Sequence, residues 1–264
     1  LRHDPGAHAA EQHEEEEQTA RSFGCGGVVC EDFVFHGCKC TTFSLIFAAM
    51  KHTLRSFGAL RDGIQRMVYR LIDVPVRLLL RLGVTPNMIT TAGLMGNIAA
   101  AALLVWAGMC RPGELLWAGV AAAVLLAASL MDMVDGYMAR TGGLESRFGA
   151  FYDSVLDRYC ELVTLGGIVL YLMLAGETVG AVVTFASLVG SVMVSYTRAR
   201  AEGLGIDCKV GLMQRPERVV VTVAGLALAP CLGCGAIIAS QLVVAVLANA
   251  TAWVRIMHCR RKLR

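Results

Sequence analysis

"DMVDGYMARTGGLESRFGAFYDSVLD", residues 132–157, sets four aspartates between "AGVAAAVLLAASLM" and "ELVTLGGIVLYLMLAG". The flanks are long enough and apolar enough to be membrane helices, and a carboxylate at such depth is costly unless it faces a wet cavity and a cation. Asp132 and Asp135 are three positions apart, and Asp153 and Asp157 four, so each pair shares one face of a helix. On consecutive antiparallel helices the two pairs meet at the same end. Asp157 then lies roughly 13 Å into its helix at ~1.5 Å per residue.

Outward from this stretch, the 264-residue chain is 56% hydrophobic and 17% charged, with positive mean hydropathy. Apolar runs of roughly 20 residues recur, the length that crosses a bilayer as a helix. The expected fold is all-α: an integral membrane protein with six transmembrane helices near 86–109, 114–139, 147–175, 178–202, 216–233 and 235–256. Short turns "GMCRPG", "AGET" and "CLGCG" join them in pairs.

Basic residues fall on one side. Six arginines between Arg55 and Arg81 precede the first helix and "RIMHCRRKLR" closes the chain. Arg140, Arg147, Arg198, Arg200, Lys209, Arg215 and Arg218 fall in the loops between, whereas the opposite loops offer Arg111. The positive-inside rule then puts both termini, and the acidic cluster, in the cytoplasm of an inner or plasma membrane protein. A net charge of +3 thus hides a one-sided field suited to anionic lipid and anionic substrate, with no nucleic-acid partner expected.

Three regions are expected. Residues 1–49, with "HEEEEQ" and Cys25, Cys30, Cys38 and Cys40, read as disordered or as an extension upstream of a start at Met50; the cysteine spacing fits no paired zinc pattern. Residues 50–84 contain an amphipathic segment, "FGALRDGIQRMVYRLIDVPVRLLLRLG", expected at the membrane interface, with Pro75 dividing or kinking it. Residues 85–264 form the membrane domain. Thr85 and Pro86 suit an N-cap and first helical position, which leaves Asn87 and Thr90 as candidate substrate contacts. Cys160 and Cys208 read as packing residues, and Cys231 and Cys234 are near enough to pair.

Pairing with Arg140, Arg147 or Arg158 would leave excess negative charge among four converging acids. Two magnesium ions, with manganese as the alternative, use all four carboxylates and can clamp a phosphate between them. Gly136, Ala139 and Gly149 keep the helix faces open for a ligand, Arg140 offers a forked donor to phosphate oxygens, and Ser146 supplies a hydroxyl. That combination describes a nucleoside diphosphate site.

The stretch reads D-x2-D-G-x2-A-R-x8-G-x3-D-x3-D with no position missed, and it resembles the CDP-alcohol phosphotransferase family of membrane enzymes. The resemblance runs from about Phe57 to the C-terminus. It implies a homodimer that displaces CMP from a CDP-linked lipid, CDP-diacylglycerol, with the hydroxyl of a second alcohol. It further implies metal ligation by Asp132, Asp135, Asp153 and Asp157, with Asp157 also the general base. Gly136, Ala139, Arg140, Ser146 and Gly149 would line the nucleotide site, beside Asn87 and Thr90.

"SYTRARAEG" and "RPER" are similar to members that make phosphatidylinositol phosphate, which implies that Arg198, Arg200, Arg215 and Arg218 hold an acceptor phosphate. Arg198 stands where a lysine is expected, and Gln214 where an acidic residue is common. Inositol phosphate is the favoured acceptor, glycerol phosphate the second, and free inositol or serine the third. A different class, a divalent cation transporter using the same acids, would require broken helices or an inverted repeat, and neither is legible.

Overall fold

Every stretch expected to cross the membrane is helical in the computed structural model, which describes residues 73–110 and 115–263. The described residues belong to one compact unit. The extension at 1–49 and the amphipathic segment as far as residue 72 lie outside them.

Helix α1 covers residues 73–81, α2 Pro86–Cys110, α3 Leu115–Gly142, α4 Arg147–Leu174, α5 Thr178–Glu202, α6 Arg215–Leu232 and α7 Cys234–Lys262. No strand occurs among the described residues. Four of these helices, α2, α3, α5 and α7, are long and apolar enough to cross a membrane. The other two long helices are more heavily charged, with Asp153, Asp157, Arg158 and Glu161 on α4 and Arg215, Glu217 and Arg218 on α6.

Helix ends follow local chemistry. Gly143 takes φ +62, and the Leu144 N–H donates to Ala139 O at 2.9 Å, closing α3 in a left-handed cap. Ser146 caps α4 by accepting from the Gly149 N–H at 2.9 Å. Residues 143–146 therefore suffice to turn the chain between the two acidic helices. Residues 175–177 link α4 to α5, and Gly233 alone links α6 to α7, so those expected turns are present. Cys160, Cys208, Cys231, Cys234 and Cys259 are free thiols, so Cys231 and Cys234 do not pair.

The helices pack as a closed ring in the order α2, α4, α5, α7, α6, α3 and back to α2. Half of the neighbours in space, α2 with α4, α5 with α7 and α3 with α6, are not neighbours in sequence. Small residues let the backbones approach, as expected where apolar burial gives no preference for helix over lipid. A Cβ built on Gly167 of α4 would lie 2.7 Å from Ala101 Cβ and 2.9 Å from Ala101 Cα of α2, whereas one on the adjacent Gly166 meets nothing. Gly167→Ala is therefore expected to cost about 1–3 kcal/mol of stability by overpacking, with Gly166→Ala near neutral. Thermal unfolding of the two variants in detergent, side by side, checks this.

Candidate active site

All six helices of the ring line one cavity, which α2 enters with Thr90, Gly93 and Asn97, α5 with Ser191 and α7 with Val244. The acids come from α3 and α4. One carboxylate oxygen each from Asp132, Asp135 and Asp153 lie within 4.8 Å of one another, a spacing at which a single cation can touch all three. Three convergent oxygen ligands of this kind fit a hard divalent ion such as magnesium or manganese.

Asp135 is buried, and both its oxygens are engaged: Thr90 Oγ1 donates to Oδ2 at 2.6 Å and the Gly136 N–H to Oδ1 at 2.5 Å. Thr90, expected to touch substrate, lines the cavity and also orients an acid. Asn87 approaches Gly149 and Ser146 across the gap between α2 and α4: a Cβ on Gly149 would fall 2.9 Å from Ser146 Oγ and 3.5 Å from Asn87 Oδ1. The open face at Gly136 is covered by Arg140, whose Nη1 would lie 3.6 Å from a Cβ there. Ala139, partly shielded, is one residue before it on the same helix.

Asp157 is not one of that group of three but is joined to it through Asp132. Nη1 of Arg215, from the first turn of α6, lies 2.6 Å from Asp157 Oδ1 and 2.7 Å from Asp132 Oδ2. The strongest counter-charge thus crosses the bundle from α6. Arg158 adds a weaker contact, 3.9 Å from Asp157 Oδ2.

The four basic residues expected to share an acceptor phosphate are divided. Arg215 and Arg218 line the cavity; Arg198 and Arg200 are not among its lining residues. Arg198 pairs with Glu202 at 2.8 Å on the surface, and Arg200 is exposed. Two residues apart on a helix, those two side chains leave on faces about 200° apart. Arg218 is 3% exposed, held by Glu161 Oε1 at 2.7 Å and Met213 O at 3.2 Å.

Glu161 is the functional-site residue that sequence reasoning passed over, although it extends the four-residue spacing from Asp153 through Asp157. Its second oxygen lies 3.6 Å from Arg158 Nη1, and Arg158 also donates to Ser195 Oγ. Deeper in the cavity, Thr164 Oγ1 donates to Asn97 Oδ1 at 3.0 Å.

A family model described as CDP-alcohol phosphatidyltransferase matches residues 83–257. This chain belongs to the CDP-alcohol phosphatidyltransferase family. Among relatives in that family, a phosphatidylinositol phosphate synthase of Mycobacteroides abscessus is 36% identical over 148 residues, which cover 56% of this chain and 64% of that protein. An archaetidylinositol phosphate synthase of Methanothermobacter thermautotrophicus is 41% identical over 104 residues, covering 39% and 51%. The matched stretches therefore span less than two thirds of these relatives' length.

The crystal structure of Mycobacterium tuberculosis phosphatidylinositol phosphate synthase with CDP-DAG bound superposes with a TM-score of 0.65 at 28% identity, covering 72% of this chain and 94% of that one. The same enzyme in complex with manganese and citrate gives 0.63 at 29% identity, covering 70% and 86%.

Proposed function

We propose that this family member transfers a phosphatidyl group from CDP-diacylglycerol to a phosphorylated polyol, inositol phosphate first, and releases CMP. The observation that carries the proposal is the convergence of Asp132, Asp135 and Asp153, the first two of which line a cavity shared by all six helices of the ring. Two divalent ions, magnesium or manganese, would be held by those three acids and Asp157. When bound, they would neutralise the diphosphate and make CMP a better leaving group.

The chain's own residues supply the rest. Asp157 accepts the hydroxyl proton of the incoming alcohol, Thr90 keeps Asp135 oriented, and Asn87, Gly136, Ala139, Arg140, Ser146 and Gly149 bound the nucleotide. Arg215 and Arg218 offer guanidinium donors to an acceptor phosphate from the cavity lining, with Arg198 and Arg200 adding positive charge from the surface. The donor's tails stay in lipid.

The same reading takes α4 and α6 as spans alongside the four apolar helices, giving six. Their outward residues support it, since Leu170 and Met173 on α4 and Val220 and Leu228 on α6 are exposed. Helix α1 presents Val74 and Leu78 outward, with Leu82 just past its end continuing the four-residue spacing, as an interfacial helix would. It is tied to the acidic helix by Tyr137, whose hydroxyl donates to Asp73 Oδ1 at 2.7 Å. That bond and Arg77, 3.0 Å away, hold the Asp73 carboxyl below its ordinary range. With both termini and the cavity mouth cytoplasmic and 85–264 as the membrane domain, the protein would work as a homodimer.

The test offers purified protein CDP-diacylglycerol with inositol phosphate, glycerol phosphate and free inositol in parallel, and identifies the lipid product. The phosphorylated inositol lipid is the expected product. CMP release with none of the three, alongside metal uptake into vesicles lacking CDP-lipid, would replace the transferase with a transporter.

A further inference from the structure

We infer that Arg215 and a divalent cation compete for one pair of carboxylate oxygens, so that loading of the second ion and binding of the acceptor's phosphate are coupled through this side chain. The inference rests on the metal-dependent reading of the site. A single guanidinium nitrogen bridges Asp132 Oδ2 and Asp157 Oδ1, at 2.7 and 2.6 Å. A cation ligated by both acids would sit between the same two carboxylates as this guanidinium, and two cations that close repel strongly. Within the group formed by Asp132, Asp135 and Asp153, Arg215 touches Asp132 alone among the described ion pairs, so a first ion held mainly by Asp135 and Asp153 meets less opposition.

The surroundings allow Arg215 to move while its helix stays fixed. Asp157 and Glu161 on α4 face Arg215 and Arg218 on α6 as two rungs of a ladder. The inner rung, Arg218 to Glu161, is 3% and 10% exposed and is further anchored at Met213 O. The outer rung is more open at its arginine: Arg215 is 22% exposed and Asp157 13%. With the inner rung holding α6, the outer side chain can swing away on its own flexible stem. Once displaced, its planar fork is suited to a phosphate at the cavity mouth. Coupling of this kind is reciprocal: whatever draws Arg215 off the acids strengthens the second ion, and the second ion frees Arg215 for the anion.

Manganese binding, followed by the electron paramagnetic resonance signal of the free ion without any lipid or acceptor, tests this directly. Wild-type protein is expected to bind one ion tightly and a second weakly. Arg215→Ala should tighten the weaker step by about tenfold or more, because an opposing charge at the same oxygens is removed. Arg215→Lys, which keeps the charge, should stay near wild type. Lys209→Ala removes one positive charge from a pair whose side chains are 71% and 68% exposed, and should leave both steps unchanged. Sulfate, standing for the acceptor's phosphate, should strengthen the second step in wild type and lose that effect in Arg215→Ala. Unchanged or weaker manganese binding in Arg215→Ala, with wild-type binding intact, overturns the competition alone. Failure of every variant to bind manganese overturns the metal-dependent reading with it.

Discussion

Asp157→Asn is expected to lower CMP release by about 10²–10⁴-fold, the range associated with losing a positioned general base. The amide keeps the volume and can still accept a hydrogen bond from Arg215, so the helix ring should persist and manganese should still bind at Asp132, Asp135 and Asp153. The measurement is CMP release from CDP-diacylglycerol with inositol phosphate as acceptor, paired with a manganese titration of the same preparation. Turnover within a few-fold of wild type would remove the proton-accepting role from Asp157. Loss of both turnover and tight manganese binding would mean that Asp157 belongs with the other three acids as a ligand first.

Glu161→Ala is expected to be the most destabilising single change, by about 3–5 kcal/mol, because it leaves the buried Arg218 charge without its partner. The two side chains are only 10% and 3% exposed, so water cannot take the partner's place. Replacing both together, Glu161→Leu with Arg218→Leu, should recover most of that loss, since the cost lies in the unpaired charge rather than in the absence of the pair. Unfolding temperatures in detergent for the two single variants and the double variant decide it. If the double variant is as unstable as the sum of the singles, Glu161 and Arg218 contribute through separate contacts and the ladder is not a unit.

Much of this site was legible from residue spacing. Period and length located the helices, and i, i+3 and i, i+4 spacing put Asp132 with Asp135 and Asp153 with Asp157, because those relations live within one helix. Gly149 and Ser146 were legible in kind, although the hydroxyl proved to cap α4 rather than stand free between helices. What spacing could not carry is the order of helices around the ring. Arg215 reaches Asp132 from 83 residues away, and nothing local distinguishes it from Arg198 or Arg200, which remain outside the cavity lining. Thr90 was found as a residue but not as the donor to Asp135, since that bond spans 45 positions and depends on α2 lying beside α3. Glu161 was within reach of the spacing argument and was missed because it sits one turn past the family motif.

The ring order also dictates when this protein can be completed during synthesis. Glu161 leaves the ribosome 57 residues before Arg218, and Asp132 leaves 83 residues before Arg215. Until α6 emerges, α3 and α4 must reside in or beside the insertion machinery with carboxylates that lack their eventual counter-charges, and α7 has yet to arrive between α5 and α6. A nascent chain stalled before residue 215 would therefore hold apolar helices with acids exposed to lipid, the kind of species that quality-control proteases of a membrane remove. Maturation of the centre waits on the arrival of α6, however early its acids are made.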